Sequence, residues 1–192
     1  MSTREKILDT ALDHFNQSGT AEISTNHIAE AAGVSPGNLY YYFRNKREII
    51  HELFQRLYAK WETELTLTQD RKPVLNDLVK LIETNYRIIW QYRFIYREMV
   101  VLLRQDAELR VGFIDVRQRG YKGFQQLFHA FSDAGVVNFP KDPQTVHELQ
   151  EICWLISEFW IANLEINGRS VDETEMQNGV KLMLRVLQPY LR

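Results

Sequence analysis

The sequence predicts an all-α protein of about nine helices, and three observations carry the prediction. Apolar residues recur at helical spacing along nearly the whole chain. The segments so marked are punctuated by residues that start and stop helices: Ser2, Ser24, Ser35, Asn45, Asp106, Asp142 and Ser170 at openings, and Gly19, Gly33, Gly135 and Gly168 at closings. The composition, 45% hydrophobic and 25% charged over 192 residues, is that of an ordinary globular chain with enough material for a core.

Residues 3–18 form the first helix, with Ile7, Leu8, Ala11, Leu12 and Phe15 on one face, Ser2 and Glu5 at capping-box spacing, and Gly19 as the stop. A short helix over 25–32 turns Ile28, Ala29 and Ala32 inward. Gly33 supplies the left-handed turn, and Val34 plugs the angle behind it. Ser35 caps the next helix, with Pro36 at its first position, where a missing N–H costs nothing. Leu39 and Phe43, four apart, face inward. Asn45 and Glu48 box the start of a helix over 46–66, carrying Ile49, Ile50, Leu53, Phe54, Leu57, Tyr58, Trp61 and Leu65.

Asp70 to Pro73 break the pattern. Helices follow over 73–92, 94–103, 107–134, 143–167 and 171–191, the last boxed by Ser170 and Glu173. Gly112, Gly120 and Gly123 would weaken the helix of 107–134 unless neighbours approach closely there. The helix of 143–167 is apolar on more than one side and so must be buried on more than one side. The division expected is 1–47 and 48–192, linked by the helix of 46–66.

The chemistry is concentrated in Thr25 to Lys46. Two short helices meet at a tight turn, and the second leaves Pro36, Gly37, Asn38, Tyr40, Tyr41 and Tyr42 outward or sideways. Three consecutive tyrosines cannot all be buried on one helix turn. An amide can read a base edge, phenols can bond phosphate or touch thymine methyls, and glycine lets the backbone approach closely. That is the layout of a helix-turn-helix that enters a DNA major groove. Lys46 and Arg47 oppose the dipole of the helix they open, which points to a phosphate site at that N-terminus.

Other classes are disfavoured. Net charge is −2, so DNA affinity must come from a local patch. The lone Cys153 permits no intramolecular disulfide, the N-terminus has no signal-peptide core, and no run is apolar enough to span a membrane, which together fit a cytoplasmic protein. Histidines 14, 27, 51, 129 and 147 are scattered, with no metal-spaced cluster and no nucleophile elbow, so no catalytic residue, metal or cofactor is expected. A helical protein-interaction scaffold would leave Tyr40–Tyr42 and Lys46 without a use.

The first 65 residues resemble the N-terminal domain of TetR-family transcriptional regulators. The resemblance rests on Ile7, Ala11, Phe15 and Gly19, on Ile28, Ala29, Ala32, Gly33, Val34 and Ser35, on Gly37 through Phe43, and on Lys46, with GVSPGNLYYYFRNK the most specific stretch. It implies a homodimer of nine- or ten-helix subunits, usually a repressor released from a palindromic operator by a small effector. An activator without a small-molecule ligand is the alternative within the family. By position, Pro36, Gly37 and Asn38 would face bases, and Tyr40 would touch thymine methyls or phosphate. Tyr41, Tyr42, Lys46 and Thr25 would bind phosphates. Asn26 sits where some members reach a base, and Ser35 opens the reading helix. Pro36 and Gly37 offer no hydrogen-bonding side chain, so DNA shape is expected to carry part of the specificity.

For the body, the aromatic set Tyr86, Trp90, Phe94, Tyr96, Met99, Phe113, Phe124, Phe128 and Trp154 is the candidate lining of an effector pocket, competing with a reading as plain core. The last two helices, apolar and glycine-notched, are the candidate dimer interface through Ile156, Trp160, Met176, Gly179, Val180, Met183 and Leu187. Residues 87–122 hold eight basic side chains against four acidic, and residues 133–178 nine acidic against two basic. An arginine could therefore meet a carboxylate-bearing ligand such as a fatty acid or acyl-CoA, or pair within the chain with Glu158 or Glu98.

Overall fold

The computed structural model describes residues 1–67 and 70–192. Among these it contains α1 (Thr3–Glu22), α2 (Thr25–Ala31), α3 (Pro36–Tyr42), α4 (Lys46–Glu64), α5 (Leu75–Gln91), α6 (Arg93–Gln105), α7 (Ala107–Asp133), α8 (Pro143–Ile166), α9 (Glu173–Leu187) and a 3-10 turn, Gln188–Tyr190. The expected caps form: Ser2, Ser24, Ser35, Asn45, Asp106 and Asp142 each accept from a backbone N–H three residues on. Ser170 does not cap α9. Asp172 accepts from Glu175 N–H at 3.0 Å, and Ser170 Oγ donates to Asp172 at 2.5 Å. The carboxylate outcompetes the hydroxyl at a helix N-terminus because it also meets the dipole.

Gly19 interrupts α1 rather than ending it. At φ 79°, ψ 165° it breaks the helix, which resumes for one more turn. That offset swings Thr20 toward α6, where its N–H and hydroxyl donate to the two oxygens of Glu98, at 2.9 and 2.5 Å. A Cβ on Gly19 would lie 2.7 Å from the same carboxylate.

One continuous apolar cluster runs through the molecule. α2 and α3 pack against α1 and each other, α4 runs from this unit into the body against α5, and α6, α8 and α9 close the body. The tail pairs back on the chain beyond α7, with Asn138 N–H donating to Tyr190 O at 2.7 Å. Gly120 has the close neighbour its position demands, since Trp154 would lie 2.9 Å from an added Cβ; Gly112 and Gly123 have none.

Both residue sets singled out in the body lie largely inward. Most of the aromatic set is core: Tyr86, Phe94, Tyr96, Met99, Phe113 and Phe128 are buried. Phe94 packs on Phe15 of α1, Phe113 edges onto Phe54, and Trp154 stacks on Tyr121. Trp90 lies under Arg93, and Phe124 packs on Phe128. The proposed interface set also faces inward. Trp160, Met176, Gly179, Val180, Met183 and Leu187 are buried within the protomer and Ile156 is half-buried. α9 lays that stripe on α5. On α8 and α9 the large apolar side chains left outside are Ile152, Leu155, Phe159, Ile166 and Leu182, 40–84% exposed. Helical spacing marks an apolar stripe but does not say which neighbour it meets.

Candidate nucleic-acid interface

The α2–α3 unit is built on a rigid corner. Gly33, at φ 62°, lets Val34 N–H reach Ala29 O at 2.9 Å and turns the chain sharply from α2. Ser35 Oγ accepts from Asn38 N–H at 3.1 Å, which starts α3 with Pro36 at its first position. Leu39, fully buried, and Phe43, 3% exposed, anchor the back of α3. The opposite side is left to solvent: Ser35, Pro36, Gly37, Asn38, Tyr40, Tyr41 and Tyr42 are all exposed, Tyr41 at 81%. From α2, Asn26 is exposed and Thr25 half-exposed. Thr25 Oγ1 and Tyr40 Oη lie 3.0 Å apart, so these two expected contact residues orient each other across the α2–α3 corner. Between residues 24 and 46 the single acid is Glu30, on α2.

The basic end is used differently from the sequence-based expectation. Lys46 Nζ donates to Thr20 O at 2.6 Å and Ile23 O at 2.9 Å, tying the last turn of α1 to the start of α4. Arg47 turns to the body, donating to Asp106 at 2.5 and 3.0 Å and to Glu108 at 2.8 Å. Expected as phosphate ligands at the α4 N-terminus, both have partners within the chain: carbonyls at the end of α1 for Lys46 and carboxylates at the α7 N-terminus for Arg47. Two further cations stand exposed beside α3 and the α2–α3 turn. Arg44, beside the tyrosines, has its side chain 89% exposed and stands 4.0 Å from Glu48. Lys6 of α1 is exposed, and its Nζ lies by the α2–α3 turn, 3.6 Å from where a Gly33 Cβ would be. Arg44 was visible inside the YYYFRNK motif, whereas Lys6 is brought there only by folding.

Asp106 gathers the junction. Its carboxylate caps α7 and also takes Arg47 and, at 2.6 Å, His51 Nε2 of α4. The Arg47 guanidinium holds this carboxyl well below the usual carboxylate range, against the opposing effect of desolvation; Leu109 N–H and His51 add to the lowering. Asp106→Asn keeps a competent cap but loses the charge. A carboxyl depressed in the folded state stabilises fully above its unfolded value, near pH 4, and loses that stabilisation as pH falls. The variant is therefore expected to be less stable than wild type at pH 7, with the gap beginning to narrow below pH 4 and still open at pH 3. Urea unfolding at pH 7 and pH 3 checks this, and a gap unchanged with pH would contradict it.

Several body arginines are engaged within the chain. Arg117 pairs with buried Glu158 and lies over Tyr121 and Trp154, Arg97 pairs with Glu165, and Arg87 with Glu64. Burial raises the Glu158 carboxyl even though Arg117 opposes it. Among the described residues no helix is long and apolar enough to cross a membrane, and no group of His, Cys, Asp and Glu is placed to hold a metal.

Two family profiles account for nearly the whole chain: one described as "Bacterial regulatory proteins, tetR family" matches residues 7–53, and one described as "Bacterial transcriptional repressor" matches residues 56–192. The chain belongs to the TetR family. A TetR-family transcriptional regulator from Marinobacter aquaeolei VT8 has a similar structure, with a TM-score of 0.89 and 34% identity, covering 100% of this chain and 92% of that one. Among curated relatives, the regulator AcrR of Shigella flexneri is 42% identical over 53 residues, 28% of this chain and 25% of its own length. The probable regulator YttP of Bacillus subtilis is 27% identical over 108 residues, 53% of this chain and 52% of its own. These matches span a quarter to about half of those relatives' lengths. The TetR family is one of transcriptional regulators, commonly repressors.

Proposed function

We propose that this TetR-family chain is a cytoplasmic repressor that binds a palindromic DNA operator as a homodimer and leaves it when a small apolar or amphipathic effector binds the body. The observation that carries the DNA reading is the outward side of α3. An amide, a glycine-opened backbone and three exposed tyrosines sit there with no acid among them, held from behind by Leu39 and Phe43. In this reading Asn38 meets a base edge and Tyr40 a thymine methyl or phosphate. Tyr41, Tyr42, Thr25, Arg44 and Lys6 meet phosphates, and Asn26 lies beside them. Lys46 holds the frame that sets their height. Ile152, Leu155, Phe159 and Leu182 are the side chains that would pair two copies, since a cluster of large apolar groups outside the core marks an association surface. Two reading helices roughly 34–36 Å apart would then fit successive major grooves.

An operator titration over a range of salt tests the assignment. Arg44→Ala should weaken binding to all sequences alike and lower the salt slope by about one per half-site. Asn38→Ala should relax preference at one position of each half-site, costing about 1–3 kcal/mol there. If neither substitution changes operator binding, α3 is not the reader. A chain that sediments as a monomer at micromolar concentration would overturn the dimer.

A further inference from the structure

A groove of about 500 Å³ opens between the last turns of α7, the connection over 134–142 and the first turns of α8. Of the aromatic set expected to line a pocket, only Phe128 reaches it. Its floor holds an anomaly. Gln150 is 1% exposed, yet neither its amide nitrogen nor its amide oxygen meets a hydrogen-bonding group among the described residues. Its neighbour Leu149, and Cys153 one turn on, are buried and apolar, so a leucine at 150 would satisfy the fold. A buried amide with both ends unmatched destabilises the chain unless something from outside meets it.

The rest of the groove indicates what would meet it. Phe128 and Phe139 stack nearly parallel, 4.0 Å between centroids and 8° between planes, and Val146 adds to this apolar wall. Lys141 stands at the rim with His129 and His147, and no acidic residue lines the groove. We infer that this groove is the effector site, and that it takes a small, flat, aromatic anion. Its charge lies toward Lys141, its ring lies against Phe128 and Phe139, and a donor or acceptor faces the Gln150 amide. The inference rests on the reading that the chain answers to an effector, and adds the place and the chemical class. It also supplies a route: α7 runs unbroken from this groove to Asp106, where α4 is clasped, so a shift of α7 against α8 would reach the reader.

The test is a fluorescence titration of the full chain, without DNA, using 8-anilinonaphthalene-1-sulfonate, which is aromatic, anionic and carries an N–H. Displacement by 4-hydroxybenzoate and by its uncharged amide follows. Saturable binding is expected, with the carboxylate displacing the probe more strongly than the amide. Gln150→Leu should weaken the probe about tenfold or more while raising Tm, because it removes the unmatched amide. Lys141→Ala should weaken it less and remove most of the salt dependence. Val146→Trp, which fills the groove, should abolish binding.

Unchanged affinity in Gln150→Leu, or in Val146→Trp if the first variant does not fold, overturns the inference. So does displacement by the amide as strong as by the carboxylate. Operator titration of the same proteins separates the two readings. Wild type that holds operator but not the probe refutes the groove alone. Wild type that binds the probe in a Gln150-dependent way but holds no operator supports the groove and refutes the repressor reading.

Discussion

Asn16→Leu is expected to cost the fold about 2–4 kcal/mol, because it leaves one buried and one part-buried backbone group without partners. Asn16 is 5% exposed in α1. Its Nδ2 donates to Gln91 O at 2.8 Å and its Oδ1 accepts from Phe94 N–H at 3.0 Å. Gln91 is the last residue of α5 and Phe94 lies in the first turn of α6, where helix ends leave carbonyls and N–H groups without helical partners. One side-chain amide from α1 therefore satisfies both ends of the α5–α6 joint. Leucine matches its size but supplies neither bond. Urea unfolding measures the loss, and a change below about 1 kcal/mol would show that the joint finds other partners. Asn16→Asp, which keeps the acceptor and loses the donor, should fall between.

The effect should extend to DNA. α1 meets the body on α6 through the Phe15–Phe94 contact, Arg97 donating to Asn16 O, and the Glu98–Thr20 pair. Thr20 O in turn receives Lys46 of α4. α6, α1 and α4 are thus linked in series, and loosening the first link removes the reference against which the reader is aimed. In the operator titration, Asn16→Leu should lose affinity for all sequences without relaxing preference at any one position, unlike Asn38→Ala.

How much of this could be read from the chain follows from what each signal depends on. Helix starts depend on a side chain and an N–H three residues away, and Ser2, Ser24, Ser35, Asn45, Asp106 and Asp142 all capped as expected. The α2–α3 corner depends on a left-handed glycine, and Gly33 supplied it. The outward set of α3 was legible because polar and aromatic residues there had no inward use. Long-range partners were not legible. Nothing local says that Lys46 will find the carbonyls of Thr20 and Ile23, or that Arg47 will find Asp106, 59 residues on. The same gap leaves the wall of a pocket undecided in the sequence. Tyr86, Phe94 and Tyr96 carry the composition of a cavity wall, but composition is identical for a wall and a packed seam. Gln150 escaped notice because a glutamine in a helix is ordinary until its burial is known.

Gly179→Ala should lower stability by roughly 2 kcal/mol, a fall in Tm of about 4–8 °C for a chain this size. Alanine is favoured over glycine in a helix by about 1 kcal/mol, so propensity alone predicts a gain. Packing decides otherwise. A Cβ at 179 would lie 2.2 Å from Tyr86 Cε1 and 2.9 Å from Trp160 Nε1. Neither ring is free to yield: Tyr86 is 1% exposed, and Trp160 Nε1 donates to Glu175 O at 3.0 Å. Overpacking of this kind costs about 3 kcal/mol, which exceeds the propensity gain. The clash has a specific signature. In the Tyr86→Leu background, Gly179→Ala should cost less than in wild type, giving a non-additive cycle. The same substitution decides whether this glycine notches the protomer or the dimer. An inward notch lowers the unfolding midpoint and leaves the dissociation of folded dimer on dilution unchanged. A notch at the subunit contact would instead shift dissociation to higher protein concentration with the protomer fold intact. The Tyr86 ring against α9 predicts the first outcome.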